Sequence, residues 1–223
     1  MPVIIDQIVR SKRKTIALII ETDGSVTVRA PLKAPEKFIL QFVEKHAKWV
    51  EKKKMEIQAV VPSQPKQYRT GERFLYLGQA YPLEVVKDQE RQLVLDGEVF
   101  KLAESVQANA ESVFQDWFRI QARRVIEPRT ALFAKRHQLH YEKIRISSAR
   151  TRWGSCSSKG TLSFSWRLIL VHPDVIDYVI IHELAHTVHH NHSKRFWKLV
   201  EKLLPDYRER RKQLKEYGQR ILE

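Results

Sequence analysis

Cysteine is nearly absent: the 223 residues include one, Cys156. A single thiol excludes an intramolecular disulfide framework and suits a reducing compartment. Glycine and proline are also scarce, at 7 and 9 residues, while 43% of the chain is hydrophobic. That balance excludes a low-complexity or fibrous chain and argues for a folded protein with a core. No stretch approaches the roughly 20 apolar residues of a membrane span. The apolar run Val3-Ile-Ile5 is too short and too quickly broken by Asp6 to act as a secretory leader. These absences lead us to expect a cytoplasmic protein with no membrane partner.

Acids are in deficit. Asp and Glu number 26 against 40 Lys and Arg, a formal charge of +14 with a pI near 9.9. A charge of that sign invites an anionic partner: nucleic acid, nucleotide or acidic protein. The bland alternative is a generally basic surface, because acids are interleaved along most of the chain. The densest basic stretch runs from Arg119 to Arg152, where Arg123, Arg124, Arg129, Lys135, Arg136, Lys143, Arg145 and Arg150 face only Glu127 and Glu142. No nucleic-acid motif accompanies it, so nucleic acid stands as a non-specific partner at most.

What is present falls into two halves. Over residues 1–102 short apolar runs alternate with turn residues. Val3–Val9, Thr15–Ile20 and Val26–Val28 read as strands, with Asp23-Gly24 as a hairpin turn. Pro35 opens an amphipathic helix expected to run to about Met55, with His46 packed on its apolar side. The segment 60–67 reads as a connector. Hairpins follow around Gly78 and around Asp96-Gly97. Composition shifts at Ala103, and residues 103–223 carry longer helical periodicities. Pro128 should kink or divide the first of them. Strands are expected near 144–148 and 161–166, with Arg152, Trp153 and Cys156 on a loop between them. The fold class is therefore α+β: a β-rich region 1–102, then a compact domain 103–223.

The most informative stretch follows His172-Pro173. Pro173 at a first helical position and Asp174 and Asp177 in the first turn mark a helix start. Val175, Ile176, Val179, Ile180, Ile181, Leu184, Ala185 and Val188 coat nearly every face, and such a helix is buried. Asn191 is a residue that tolerates the left-handed conformation ending helices. Ser193 is the expected N-cap of a further helix containing Phe196 and Trp197. Inside the buried helix sits His182-Glu183-Leu184-Ala185-His186. Positions i and i+4 share one face, so two imidazoles converge, and Glu183 can hold a water on the metal without ligating it. Three polar side chains on a buried helix are costly unless they are paired or bound to a metal. A catalytic zinc wants a third protein ligand and an open position. His192, six residues after His186, has the zincin offset.

Two other residues compete for the role of third ligand. His189 shares the ligand face if the helix continues, but would lie about 10 Å along the axis from His182. Glu201 on the following helix is the carboxylate alternative. A Cys156 thiolate blocking the open position is a further, weaker one. Arg152 and Trp153 are candidates for a substrate-contacting rim, or simply for packing around a turn at Gly154. Arg152, Tyr178 and His172 are the candidates for stabilising the transition state.

The segment from Ser148 to Trp197 resembles the YgjP-like metallopeptidase domain, a zincin family related to the SprT-like and WLM peptidases. The resemblance rests on Arg152-Trp-Gly-Ser-Cys156, Gly160 before a strand, Trp166-Arg-Leu168, Pro173, Tyr178–His186, Asn191-His-Ser193 and Phe196-Trp197. The stretch Phe74–Tyr81 extends it toward the N-terminus. It implies a zinc-dependent hydrolase with His182, His186 and His192 as ligands and Glu183 as general base, acting on a peptide or protein. Members have also been labelled UTP pyrophosphatases, so nucleotide hydrolysis is the rival activity. A DNA-associated protease of SprT-like type is the second rival. Tyr178, Arg152 and Trp153 are the expected substrate contacts, and an edge strand near Thr161–Trp166 is the expected platform for an extended substrate.

Overall fold

The computed structural model describes residues 3–20, 25–51 and 66–221. The chain separates into two compact units, Met1–Gln64 and Pro65–Glu223. The composition change at Ala103 thus falls inside the second unit, where the strands before it share one core with the helices after it.

In the first unit, β1 (Gln7–Ser11) runs parallel to β3 (Val26–Pro31), and β2 (Ala17–Ile20) pairs antiparallel on the other side of β3. The expected Asp23-Gly24 turn lies outside the described residues. Helix α1 (Glu36–Lys45) follows Pro35, and Ile39 and Val43 pack with Val28 and Ala30. It is interrupted at His46, before a further helical stretch at 47–51. The His46 Nδ1 bonds the Phe42 carbonyl at 2.7 Å and its ring lies against Phe42, which takes up a carbonyl at the helix end. The expected end near Met55 and the connector up to Pro65 lie outside the described residues.

The second unit opens with a sheet in the order β4–β5–β7–β6: β4 (Arg73–Tyr76), β5 (Gln79–Val86), β6 (Leu93–Leu95) and β7 (Phe100–Ala103). Leu77 and Gly78, both at positive φ, make the two-residue turn between β4 and β5. In the second hairpin Asp96 Oδ1 accepts from the Glu98 and Val99 N–H groups, so the turn expected at Asp96-Gly97 is in place. Helix α2 (Ala110–His137) follows. Pro128 lies within it and does not divide it. Phe114, Phe118, Ala122, Ile126, Thr130 and Ala134 recur every four residues along its buried face, and this packing outweighs the lost hydrogen bond.

A second small sheet, β8–β10–β9, joins β8 (Lys143–Ser147), β10 (Thr161–Ser165) and β9 (Gly154–Cys156). β9 is a strand where a loop was expected. Its Gly-Ser-Cys sequence has no apolar alternation to announce it, and pairing with β10 alone defines it. Helix α3 (Pro173–Ala185) is apolar on almost all sides and buried at Val175, Ile176, Val179, Ile180, Ile181, Leu184 and Ala185. Two further helices, α4 (Lys194–Leu203) and α5 (Tyr207–Ile221), complete the unit. Among the described residues no helix is long and apolar enough to cross a membrane.

Candidate metal centre

Helix α3 ends six residues before Asn191. The Thr187 and Val188 N–H groups reach back only three residues, to Leu184 and Ala185, and the Thr187 hydroxyl donates to the Leu184 carbonyl at 2.8 Å. That side-chain competition for a carbonyl tightens the last turn, and no left-handed residue is involved. The early stop has a geometric result. His186 sits at the helix end, the chain turns through 187–191, and His192 returns beside His182. Ser193 then caps α4 by accepting from the Phe196 N–H, so the third imidazole stands at a fixed helix start.

The three imidazoles converge. His192 Nε2 lies 3.0 Å from His182 Nε2 and 3.2 Å from His186 Nε2. The potential ligand atoms of the trio all lie within 4.8 Å of one another. Nitrogens bound tetrahedrally to one ion at about 2.1 Å stand roughly 3.4 Å apart, so the set is nearly of the size a metal requires. The His186 Nδ1–H donates to the His189 carbonyl at 3.0 Å, which sets the tautomer and leaves Nε2 with its lone pair. His189 thus contributes its main chain, not its ring. Burial pushes the His182 imidazole down to about 3, with His186, His192 and Arg211 adding to the effect. His186 is shifted down too, chiefly by burial. Both are therefore neutral, the form that ligates.

Aromatic rings hold the trio. Phe196 stacks on His186 at 4.4 Å between centroids and meets His182 and His192 edge-on. Trp197 stacks on His192 at 5.6 Å, and behind it lie the Tyr207 ring and the Arg211 guanidinium. The helical spacing of Phe196 and Trp197 marks only a packed face. Their contact with the three imidazoles follows from the turn at 187–191, which periodicity does not announce.

Glu183, next to His182 on α3, is buried, and its Oε2 is a buried side-chain oxygen without a hydrogen-bond partner among the described residues. Such an orphaned carboxylate oxygen is unusual in a folded interior and fits a place built to hold another group. Burial pushes the Glu183 carboxyl up to about 8, against the pull of Arg152. Gly154 of β9 lies against this carboxylate: a Cβ at that position would stand 2.6 Å from Glu183 Oε1. The glycine read as a turn residue is in fact the strand residue that makes room for Glu183.

A family model described as YgjP-like, metallopeptidase domain, matches residues 14–217. The chain belongs to that family. The match extends across most of both compact units, and it makes the protein a metallopeptidase-type hydrolase by family. A crystal structure of the metallopeptidase zymogen of Pyrococcus abyssi abylysin is similar at 24% identity and a TM-score of 0.37, over 40% of this chain and 90% of that one. The comparison with curated proteins finds no match.

The remaining candidates of this YgjP-like chain are distributed unevenly. Arg152 is exposed and close enough to act on Glu183 electrostatically. Trp153 is half-buried, its indole Nε1 lying near Gly218 of α5. Tyr178 is buried, edge-on to His182, and burial raises its phenol to about 12. His172 caps the start of α3 through the Asp174 N–H, about 15 Å along the helix from His182. Glu201 is paired with Arg208 at 3.2 Å. Cys156 is half-buried, and both burial and the charge of Glu183 push its thiol up, away from the thiolate a metal would need. The expected substrate platform on β10 is corrected: β10 is the central strand, with β8 on one side and β9 on the other. Of these three strands, β9 is the one lying against Glu183.

Proposed function

We propose that the chain is a zinc-dependent peptidase in which His182, His186 and His192 hold the ion and Glu183 is the general base. The convergence of three Nε2 atoms, two of them carried by the helix that also bears a buried, unpartnered carboxylate at Glu183, carries this reading. Three neutral nitrogen donors favour zinc over the oxygen-seeking magnesium or calcium. An ion bound there would supply Lewis acidity, polarising a carbonyl and acidifying water. The rest falls to the chain's own side chains. Glu183 Oε2 takes the proton from the attacking water and returns it to the leaving amine nitrogen. The close approach of Gly154 holds that carboxylate in place. Phe196 and Trp197 fix the imidazole planes.

The substrate would lie along β9. The Ser165 N–H donates to the Trp153 carbonyl and the Ser157 N–H to the Thr161 carbonyl, at 2.8 and 2.9 Å. By the alternation of an antiparallel ladder, the main-chain groups of Gly154 and Cys156 face the other way. An extended peptide can pair with those groups directly over Glu183. Arg152 and Trp153, just before them, are the proposed side-chain contacts. Nucleotide hydrolysis has less support, because the metal-ligating group among the described residues contains no carboxylate. Residence in the cytoplasm belongs to the same reading and is supported by the free Cys156.

Parallel assays of the zinc-loaded protein on a mixed peptide library and on UTP test this. Peptide cleavage that falls by about 10²–10⁴-fold in Glu183→Gln, with zinc retained, is the expected outcome. Hydrolysis of UTP without any peptide cleavage would replace the reading with its rival.

A further inference from the structure

Part of the densest basic stretch of the sequence is paired off or stacked in the fold. Arg123 pairs with Glu127 at 2.9 Å, Arg129 with Asp177 at 2.6 Å, and Arg136 lies over the Phe133 ring. One group departs from that pattern. Arg119 from α2 and Arg167 from the turn after β10 both reach Ser148: Arg119 Nη2 donates to its hydroxyl at 2.5 Å and Arg167 Nη1 to its carbonyl at 3.2 Å. Arg167 is further fixed by the Trp166 ring, 4.4 Å from its guanidinium carbon. Arg119 keeps one carboxylate, Asp116, at 3.3 Å. Arg150, two residues beyond Ser148, has no carboxylate or hydrogen-bond partner among the described residues and acts on Arg167 as a like charge.

Three guanidinium groups with one carboxylate among them leave an excess of positive charge and many unused N–H donors. Two of the three are held in place by the protein, so little entropy is lost when an anion arrives. The position is also informative. The segment 148–152 runs from this cluster into Arg152 and then β9. Three residues lie between Arg150 and Gly154, at most about 14 Å of chain, and Gly154 touches Glu183. A peptide extended along β9 would meet the cluster within about four residues of the point above Glu183.

We propose that Arg119, Arg150 and Arg167 form a carboxylate subsite, so that the peptide substrates of this protein carry an acidic group a few residues from the scissile bond. The inference rests on the peptidase reading for its orientation along β9, and not for the anion site itself. Guanidinium groups grip a carboxylate through paired, charge-assisted hydrogen bonds. The carboxylate comes from an Asp or Glu side chain or from the substrate's own C-terminus. Both present the same chemistry.

Binding of matched fluorescent peptides to the zinc-loaded Glu183→Gln protein tests this at low salt. The peptides differ only in Glu against Gln at one position, each with a free or an amidated C-terminus. The expected result is binding about tenfold tighter for the Glu peptides, a preference that Arg150→Glu removes. Preference that follows the free C-terminus instead assigns the subsite to terminal carboxylates and upholds it. Equal binding of all four peptides, or a preference untouched by both Arg150→Glu and Arg167→Gln, overturns it. A DNA oligonucleotide that binds at least tenfold tighter than any peptide and is released by Arg150→Glu also overturns it, in favour of a phosphate site. Cleavage by the wild-type protein is scored separately. Acidic peptides bound through Arg150 but never cleaved would sink the peptidase reading alone, and cleavage indifferent to acidic residues would sink the subsite alone.

Discussion

Gly154 and Glu183 illustrate how little space separates a working side chain from a blocked one. A methyl group at 154 would sit 2.6–2.9 Å from Oε1, Cγ and Cδ of Glu183, closer than carbon and oxygen tolerate. Gly154→Ala should therefore displace the carboxylate while leaving the three imidazoles alone. We expect peptide turnover to fall by about 10²-fold with zinc content unchanged, because misplacing a reacting group by an ångström costs roughly that much. Steady-state kinetics beside metal analysis checks it, and loss of zinc along with turnover would contradict it. Trp197 acts differently, as the surface on which the His192 ring rests. Trp197→Ala is expected to weaken zinc affinity by about 10–100-fold, read by competition with a chelator, as removal of a ligand's support commonly does. Unchanged affinity would mean that Phe196 and the helix start hold His192 without it.

At the scale of elements, what was legible depended on how local the cause was. The hairpin at Asp96, the Pro173 start of α3 and the Ser193 cap of α4 are written in a few adjacent residues, and each is found. β9 is not, since its strand character comes from β10 and not from Gly-Ser-Cys itself. The end of α3 was placed too late for a similar reason, because Thr187 competes for a carbonyl at a position where apolar periodicity still continues. Of the kink or division expected at Pro128, the division does not occur, because the buried four-residue repeat carries the helix through it. Pro128→Ala should consequently raise stability by about 1–3 kcal/mol, measured by denaturant unfolding, by restoring an N–H to the ladder. A loss of stability would show that the proline's fixed geometry is needed there. The Asp96 turn makes a pH-dependent prediction. Lys101, with the Val99 and Glu98 N–H groups, holds the Asp96 carboxyl at about 2, below its ordinary 3.8. A depressed carboxylate stabilises the fold above its unfolded pKa of about 4, and that contribution is lost as pH falls toward 2. Asp96→Asn should thus lower the melting temperature at pH 6 and leave it unchanged at pH 2. An equal deficit at both values would contradict the assignment.

For the molecule as a whole, composition located the charge but not its arrangement. A net +14 follows from counting. That Arg123 and Arg129 are paired while Arg119, Arg150 and Arg167 crowd around Ser148 depends on tertiary contacts between α2 and the strands. The composition change at Ala103 lies within one continuous core, and the compact units are Met1–Gln64 and Pro65–Glu223. The histidine cluster was the more legible part, since His182 and His186 share one helix face and His192 needs only a short turn to join them. The dependence of zinc binding on all three histidines is the central claim, and zinc content decides it most directly. Measured on the purified full chain, one zinc per molecule is expected for wild type, for Glu183→Gln and for His189→Ala, whose ring is not a ligand. His192→Ala should lose most of its zinc to a mild chelator that leaves the others loaded. Retention of zinc by His192→Ala as firmly as by wild type would contradict the three-histidine site.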